Sequence, residues 1–284
     1  MILAAGFFDG VHRGHRKIIE GATAALTFRN HPFTVLSPQR VPELIMTFDD
    51  KLKAIKELGV ENVFALEFTP ALASQSAADF AMSLPRIVGL GSGAELTVRC
   101  GDNWRFGHGG VGTPGYLRQF GIAVEVVSCA QNDGETISST GIRRALSLGD
   151  IKSALVMLGH SLVVHGKIIA GKGLGRSIGY PTVNLELLNS KGLAYGVYAC
   201  RVCGSLAIAN YGFAPTAGDK AWKTPVMEVH FINGLPPYCE GSGEMTLDIL
   251  DFVRHERAFA SFEELTRQIS FDIEKTRQIG GEGK

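Results

Sequence analysis

Residues 2–20 read ILAAGFFDGVHRGHRKIIE, and this stretch decides how the first half of the chain folds. An apolar run at residues 2–5 has the composition of a short buried strand. A glycine-rich loop follows at residues 6–15, and a helix begins by residue 16. A strand, a glycine-rich loop and a helix in direct succession are typical of α/β domains that bind phosphate groups.

The loop itself combines glycines with two histidines. Gly6, Gly10 and Gly14 let the backbone approach a ligand closely. His12 and His15 are three residues apart, so at a helix start they can point the same way and donate to one anion. The amino terminus of the helix also offers amide N–H groups and the positive end of its dipole. We therefore predict a phosphate site at residues 6–15.

The rest of the first half alternates strands and helices. Such alternation predicts a parallel, doubly wound sheet, whose ligands bind at the carboxyl ends of the strands. The predicted strands are 24–28, 62–68, 96–100 and 122–127, and the predicted helices are 49–58 and 75–84.

The pattern of predicted helices and strands changes near Gly159. Two short helical patterns at 140–148 and 150–158 close the first half. Strand patterns then follow one another with Gly and Pro between them, which predicts an antiparallel barrel or sandwich. These strands are 162–170, 196–202, 206–211, 226–232 and 245–253, and a last helix starts at a Ser261–Glu264 capping box with an apolar stripe of Phe262, Leu265, Ile269 and Ile273. We place the domain boundary between residues 1–158 and 159–284.

The composition of the chain argues against some classes of binding partner. The 28 Lys and Arg balance the 28 Asp and Glu, so no general cationic field points to nucleic acid. No apolar run approaches a membrane span, and no export signal is present, so we expect a cytoplasmic protein without a membrane partner. Cys200 and Cys203 form a CxxC in a strand pattern, where residues three apart face opposite ways. We interpret them as apolar packing residues rather than as a metal or redox pair.

A second glycine-rich loop lies at residues 171–184, GKGLGRSIGYPTVN. It is neither a P-loop nor a dinucleotide fingerprint, because the spacing differs and Tyr180-Pro181 prevents a helix from following directly. An amide-rich, cationic loop among strands suits a polyphosphate. A hairpin tip without a ligand explains the composition equally well.

Four motifs in order give the first half a family resemblance. GFFDGVHRGH at residues 6–15, TFRNHP at 27–32, GDNWRFG at 101–107 and ISSTGIR at 137–143 resemble the HxGH nucleotidyltransferases in the version found in prokaryotic bifunctional riboflavin kinase/FAD synthetases. The resemblance implies transfer of an adenylyl group from ATP to FMN. It implies that His12 and His15 hold the ATP phosphates, that Ser139 and Thr140 add hydroxyl donors, and that Arg143 binds the leaving pyrophosphate. It also implies ATP or flavin contacts for Gly6, Phe7, Asp9, Gly10, Gly14, His31 and Asn103. Trp104 and Phe106 are interpreted either as flavin or adenine contacts or as core residues.

The second half resembles the riboflavin kinase part of the same family. GKGLGRSIGYPTVN, GVYA at 196–199, ANYG with PT at 215–216, MEVH at 227–230 and FVRHER at 252–257 carry this resemblance. It implies that Glu228 is the base and that Thr182 and Asn184 hold Mg²⁺. We interpret His230 and His255 as structural. The resemblance also implies ATP or flavin contacts for Gly171, Gly173, Gly175, Arg176, Tyr180 and Arg254. The implied substrates are riboflavin, FMN and ATP, with Mg²⁺ as the cofactor.

Three features depart from the family pattern, and one is that Arg29-Asn30 precede His31-Pro32 where the family usually has an acidic residue and a proline. Only residues 16–26, eleven in number, separate His15 from Thr27, so the first helix and the approach to the second strand are short. Ala214 also replaces a frequent Arg. The alternatives to a bifunctional enzyme are a kinase with an impaired first domain, a nucleotide or flavin sensor, and another transferase of the HxGH superfamily.

Overall fold

The computed structural model describes residues 1–91, 93–128, 130–132, 134–171, 175, 179–213, 224–234 and 243–281. The chain divides into two compact units. The first contains Met1–Pro42 and Phe48–Ser139, and the second contains Glu43–Thr47 and Thr140–Lys284.

A five-stranded parallel sheet organises the first unit, as the alternation of elements predicts. Its strands are β1 (Ile2–Ala5), β2 (Ala24–Phe28), β3 (Asn62–Leu66), β4 (Thr97–Gly101) and β5 (Ala123–Val127). The helices of this unit are α1 (Arg13–Ile19), α2 (Phe33–Leu36), α3 (Phe48–Glu57), α4 (Pro70–Ser74) and α5 (Ala77–Ile87), and a small hairpin joins β6 (Gln131–Asn132) to β7 (Glu135–Thr136).

The order of the strands fixes where this sheet can bind a ligand. The order is β3-β2-β1-β4-β5, so the chain extends the sheet to one side of β1 and then to the other. In doubly wound sheets the crevice at such a reversal, outside the carboxyl ends of the strands, is the usual ligand site. Here the loop after β1 and the loop after β4 border that crevice. They carry two of the four motifs found in the first half.

The second unit is built on a closed antiparallel barrel. Its six strands are joined in the order β10-β11-β12-β9-β8-β13. They are β8 (Leu162–Ile169), β9 (Val183–Leu187), β10 (Gly196–Val202), β11 (Ser205–Gly212), β12 (Val226–Phe231) and β13 (Glu244–His255). Large apolar side chains from every strand fill the interior; Tyr198, Leu247 and Met227 are fully buried there. The prediction of a barrel or sandwich is resolved as a barrel.

Two helices before the barrel share its apolar core. These are α6 (Ser139–Ser147) and α7 (Ile151–Leu158). Ile142 and Leu158 are fully buried in the same cluster as the barrel interior, and Ile45 from the short segment 43–47 joins them. Packing therefore groups residues 140–158 with the barrel. The boundary at residue 158 stays a prediction.

The closing helix α8 (Phe262–Ile279) packs on the outside of the barrel. The Ser261 hydroxyl accepts from the amide of Glu264, and the Glu264 carboxylate accepts from the amide of Ala260, so the capping interaction forms largely as predicted. Ile273 packs against the barrel, but Phe262 is 66% exposed and lies outside the packed stripe. In the part of the chain that the structure describes, no helix has both the length and the apolarity to cross a bilayer.

Candidate active sites

The loop between β1 and α1 has a strained backbone held by burial. Phe8, Gly10 and Val11 have φ values of 57°, 84° and 35°. Such values are costly for residues with a side chain. Phe8 and Val11 are each only 1% exposed, so their packing holds the loop in this form. Gly6 is required because a Cβ there would meet the Phe8 ring. The loop is therefore a fixed turn at the carboxyl end of β1.

His12 and His15 lie side by side, as their spacing predicts. Their rings stack with centroids 3.5 Å apart and 18° between the planes. His12 caps α1, because its Nδ1 accepts from the amides of Gly14 and His15 at 3.2 Å each. An accepting Nδ1 carries no proton, so the neutral ring holds its proton on Nε2. The sequence predicts amides offered to an anion at this helix start, but two of them donate to His12 instead.

Side chains from neighbouring elements donate hydrogen bonds to the carbonyl groups of this loop. The Thr27 hydroxyl donates to the Phe7 carbonyl at 2.9 Å, and the Ser139 hydroxyl donates to the Asp9 carbonyl at 2.8 Å. Asp9 itself is 3% exposed. The His31 ring stands edge-on to the Phe7 ring with centroids 4.7 Å apart. Phe7 and Asp9 in the loop are thus brought together with His31 and Ser139, and the Ser139 hydroxyl acts on the loop backbone.

Lys51, which no sequence motif indicates, also contacts this loop. Lys51 on α3 is 3% exposed, and its Nζ donates to the carbonyls of Phe7 at 3.1 Å and Phe28 at 2.8 Å. Burial lowers its pKa to about 8, against the opposing effect of the Asp9 charge. A signal was present, because Lys51 lies four residues before the buried Ile55 on the apolar face of an amphipathic helix.

Some residues of the loop after β4 pack in the apolar core of the first unit, and others are exposed at the carboxyl edge of the sheet. Phe106 is 7% exposed and belongs to the apolar core of the sheet, and Trp104 packs against it with ring centroids 4.9 Å apart. Both are therefore core residues, one of the two interpretations that the sequence left open. Asn103 is exposed, just beyond the carboxyl end of β4. Its position at the crevice keeps it available as a ligand contact.

Thr140 and Arg143 lie on α6 and belong to the second unit. Thr140 is exposed. The Arg143 Nε donates to the carbonyl of Glu43 at 2.7 Å, which orients the guanidinium. Their roles in binding phosphate stay predictions.

The second site is a row of polar residues across three barrel strands. Glu228 on β12 is directly opposite Asn184 on β9 and Asn210 on β11. Opposed residues in antiparallel strands share a face. Met227, Val229 and Phe231 point into the core, so Glu228 and the two asparagines lie on the outer face, as the alternation predicts. Burial raises the pKa of Glu228, and the charge of Glu256 raises it further.

Glu256 extends this row beyond Asn210, and neither residue was among the site residues predicted from the sequence. Glu256 is hydrogen-bonded to the Asn210 side chain. Burial raises the pKa of Glu256, and the Asn210 hydrogen bond and the Arg254 charge act in the opposite direction. A Cβ on Gly212 would collide with the Glu256 carboxylate, so this glycine makes room for it. The signal was the ANYG and FVRHER motifs, in which both residues occur.

The described part of the glycine-rich loop packs against this row. A Cβ at Gly171 would collide with the Asn184 amide, and one at Gly175 would meet Thr182 and the Tyr180 carbonyl. The Tyr180 amide donates to the Gly175 carbonyl at 2.7 Å. The loop therefore approaches Thr182 and Asn184 as closely as backbone can. Gly173 and Arg176 lie outside the described residues.

Tyr180, His230 and Arg254 make contacts that hold elements together. The Tyr180 ring stands edge-on to His230 with centroids 5.3 Å apart, and its hydroxyl is 3.2 Å from that of Ser270 on α8. The Arg254 guanidinium binds the carboxylate of Asp272, which is 3% exposed, with nitrogen–oxygen distances of 2.8 Å. The structure thus gives Arg254 a structural partner, and its role as a ligand contact stays a prediction.

The interpretation of the CxxC cysteines as buried packing residues is confirmed for Cys200 and wrong for Cys203. Cys200 is buried, with its thiol 3.4 Å from the Ala207 carbonyl, whereas Cys203 is exposed on the following turn. Among the described residues, no cluster of three or more His, Cys, Asp or Glu could hold a metal.

Known proteins match the chain along nearly its whole length. A family model described as FAD synthetase matches residues 1–141, and one described as riboflavin kinase matches residues 158–280. The bifunctional riboflavin kinase/FMN adenylyltransferase of Bacillus subtilis (strain 168) is 33% identical, with 95% of this chain and 90% of that protein covered. The protein of the same name from Escherichia coli (strain K12) is 30% identical, with 99% and 93% covered.

A solved structure shares the fold of the chain. It is a crystal structure from Streptococcus pneumoniae described as a macrolide-efflux protein, with a TM-score of 0.83, 27% identity, and 97% of this chain and 93% of that chain covered. The chain belongs to the family of bifunctional riboflavin kinase/FMN adenylyltransferases.

Proposed function

We propose that this chain phosphorylates riboflavin to FMN with one ATP and adenylylates FMN to FAD with a second, releasing pyrophosphate. The observation that carries the proposal is that one chain holds both sites. The first is the stacked His12–His15 pair that follows β1, and the second is the row of Asn184, Glu228 and Asn210 on the barrel. A kinase alone has no need of the first site, and an HxGH transferase of another kind has no need of the second.

In the kinase half we assign Glu228 as the general base. It takes the proton of the ribityl 5′-hydroxyl while that oxygen attacks the γ-phosphorus of ATP and ADP leaves. A base works best when its pKa is close to the working pH, and burial raises the pKa of Glu228 in that direction. Asn184 and Asn210 lie on either side of it and limit its position.

Thr182 and Asn184 fit a magnesium ion that arrives with ATP. Their side chains offer neutral oxygens, and Mg²⁺ is usually held by few protein ligands plus substrate phosphates. Gly171 and Gly175 leave no room for side chains beside them, so the loop backbone can approach the same phosphates. When bound, the metal neutralises charge that builds up on the transferring phosphoryl group. We propose that Gly173 and Arg176 belong to this cradle.

In the adenylyltransferase half an FMN phosphate oxygen attacks the α-phosphorus of ATP and pyrophosphate leaves. An ionised phosphate needs no base, so catalysis rests on positioning and on donors to the phosphate oxygens. We assign the Nε2–H of His12 as one donor, because its Nδ1 is occupied by the helix amides. We propose that His15, Thr140 and Arg143 supply others, and that His31 and Asn103 contact substrate.

The proposal is tested by incubating the purified protein with riboflavin, ATP and Mg²⁺ and separating the flavins by chromatography. We expect FMN to appear first and FAD to follow. FMN without FAD would reduce the chain to a kinase, which is the leading alternative. If neither product formed while the protein bound ATP or flavin, a sensor without catalysis would be supported instead.

A further inference from the structure

Lys51 is a buried cation beside the first site that the proposed chemistry does not use. It lies on α3, and its ammonium group contacts the carbonyl of Phe7 at the start of the phosphate loop and that of Phe28 at the end of β2. The same ammonium group is 4.1 Å from the centre of the Phe7 ring and 5.4 Å from that of Phe48. One side chain thus joins a helix, a strand end and the loop.

A charge at this place needs an explanation beyond packing. A buried ammonium group is costly unless it is well compensated, and a lowered pKa means that folding opposes the charge. Two carbonyl groups could equally be satisfied by a neutral donor, as Thr27 already does for Phe7. What a lysine adds is a positive charge behind the loop, where anionic substrates bind in the proposed function.

We propose that Lys51 is a positioning residue of the adenylyl-transfer site, which fixes the loop at Phe7 against β2 and supplies a positive charge to the wall of the phosphate site. The inference rests on the proposed function of that site. The inference assigns a role to a residue that lies outside both the histidine pair and the loop motif. Because Lys51 contacts the loop backbone, it acts through the loop and not on the reacting atoms.

The groups around Lys51 do not prevent its ammonium group from losing its proton at mildly alkaline pH. Asp9 from the loop is the facing carboxylate and favours the charged form. Arg29, which follows β2, lies over the ring of Phe48, with its guanidinium carbon 4.9 Å from the centroid. His31 faces the other contact, the Phe7 ring. Burial outweighs Asp9, and the pKa of Lys51 falls to about 8. The ammonium form therefore predominates below that pH and is lost above it.

The test measures FAD formation from supplied FMN between pH 6.5 and pH 9.5, with FMN formation from riboflavin in the same samples as a reference. In the unaltered protein we expect FAD formation to fall above about pH 8, because the charge is lost there. FMN formation should lack this fall. Lys51→Arg, which does not titrate in this range, should retain activity and move the fall to higher pH.

Lys51→Met should lower FAD formation about tenfold or more across the whole range and show no fall near pH 8. Lys53→Met, an exposed neighbour on the same helix, is the matched control and should behave like the unaltered protein. If Lys51→Met does not fold, which thermal unfolding would reveal, Lys51→Gln and Lys51→Arg still decide the question. An unchanged fall in Lys51→Arg, or full activity in Lys51→Gln, would overturn the inference. Absence of FAD formation in the unaltered protein at every pH would instead overturn the proposed function.

Discussion

Gly14 determines how closely the two histidines of the first site can pack. Its α-carbon faces the His12 ring, and a Cβ there would lie 3.1 Å from a ring carbon and 3.2 Å from Nδ1. That is closer than side chains normally approach, so the ring would have to move by a few tenths of an ångström. The ring also caps α1, and a shift would disturb both its stacking on His15 and its two hydrogen bonds.

Gly14→Ala should therefore reduce FAD formation from FMN about three- to tenfold, since small misplacements of donors reduce rates steeply. FMN formation from riboflavin should not change, because it uses the barrel. Gly91→Ala is the control, since nothing lies within 4 Å of a Cβ at that position. Equal rates of FAD formation in both variants would show that the position of the His12 ring does not matter.

The residues missed by sequence reasoning were missed for physical reasons. Lys51 lies on a helix between two motifs, and its contacts are with backbone carbonyls of residues far away in sequence. Asn210 and Glu256 come together only because β11 and the end of β13 lie near each other in the closed barrel. Motifs identify residues within one segment, whereas these partnerships depend on tertiary packing.

At the scale of elements, an ion pair joins β13 to α8. Asp272 is almost fully buried. Its carboxylate accepts hydrogen bonds from the Arg254 guanidinium at 2.8 Å and from the side-chain amide of Gln268 at 2.6 Å. Removing one member of a buried pair leaves the other charge without compensation, which costs about 3–5 kcal/mol. Replacing both with apolar residues is far less harmful.

Arg254→Met should lower the free energy of unfolding of the barrel by about 3 kcal/mol, and Arg254→Met with Asp272→Leu should recover most of it. Urea unfolding followed by circular dichroism measures both. This prediction separates a structural role from a role in ligand binding. A variant with unchanged stability but a raised KM for riboflavin or ATP would favour the ligand role instead.

Asn189 attaches the segment 43–47 to β8. Its amide nitrogen donates to the carbonyls of Ile45 at 3.0 Å and Val163 at 2.8 Å, and its oxygen accepts from the His165 amide. The side chain is 2% exposed, so its removal leaves buried groups without partners. Asn189→Ala should cost about 2–3 kcal/mol of stability. Asn233→Ala on an exposed turn should cost much less, and equal losses in thermal unfolding would contradict this account.

The elements with a plain hydrophobic period were predicted best. Strands β1, β2 and β10 begin and end at the predicted residues. Strand β9 was missed because it is short and directly follows a glycine-rich loop and Pro181. In the structure, Leu185 and Leu187 point into the barrel while Asn184 faces outward, so the alternation was present over five residues only. Missing this strand also hid the alignment of Asn184 with Glu228.

The proposed function requires two separate sites in one chain. The two sites share no residue: the first lies at the crevice beside β1, and the second lies on the outer face of the barrel. The short connection between His15 and Thr27 still accommodates helix α1 and the turn into β2. The sequence predicted both folds, whereas the hydrogen-bond partners of the residues named for each site became visible only in the folded chain.

The most direct test of two separate sites is the Glu228→Gln variant, which removes the base but preserves the size of the side chain. It should be assayed twice with ATP and Mg²⁺, once with riboflavin and once with FMN, and the flavins separated by chromatography. We predict that FMN formation falls at least about 100-fold, because a general base is lost, while FAD forms from supplied FMN at the unaltered rate. Loss of both activities in a folded variant, or survival of FMN formation, would contradict the account.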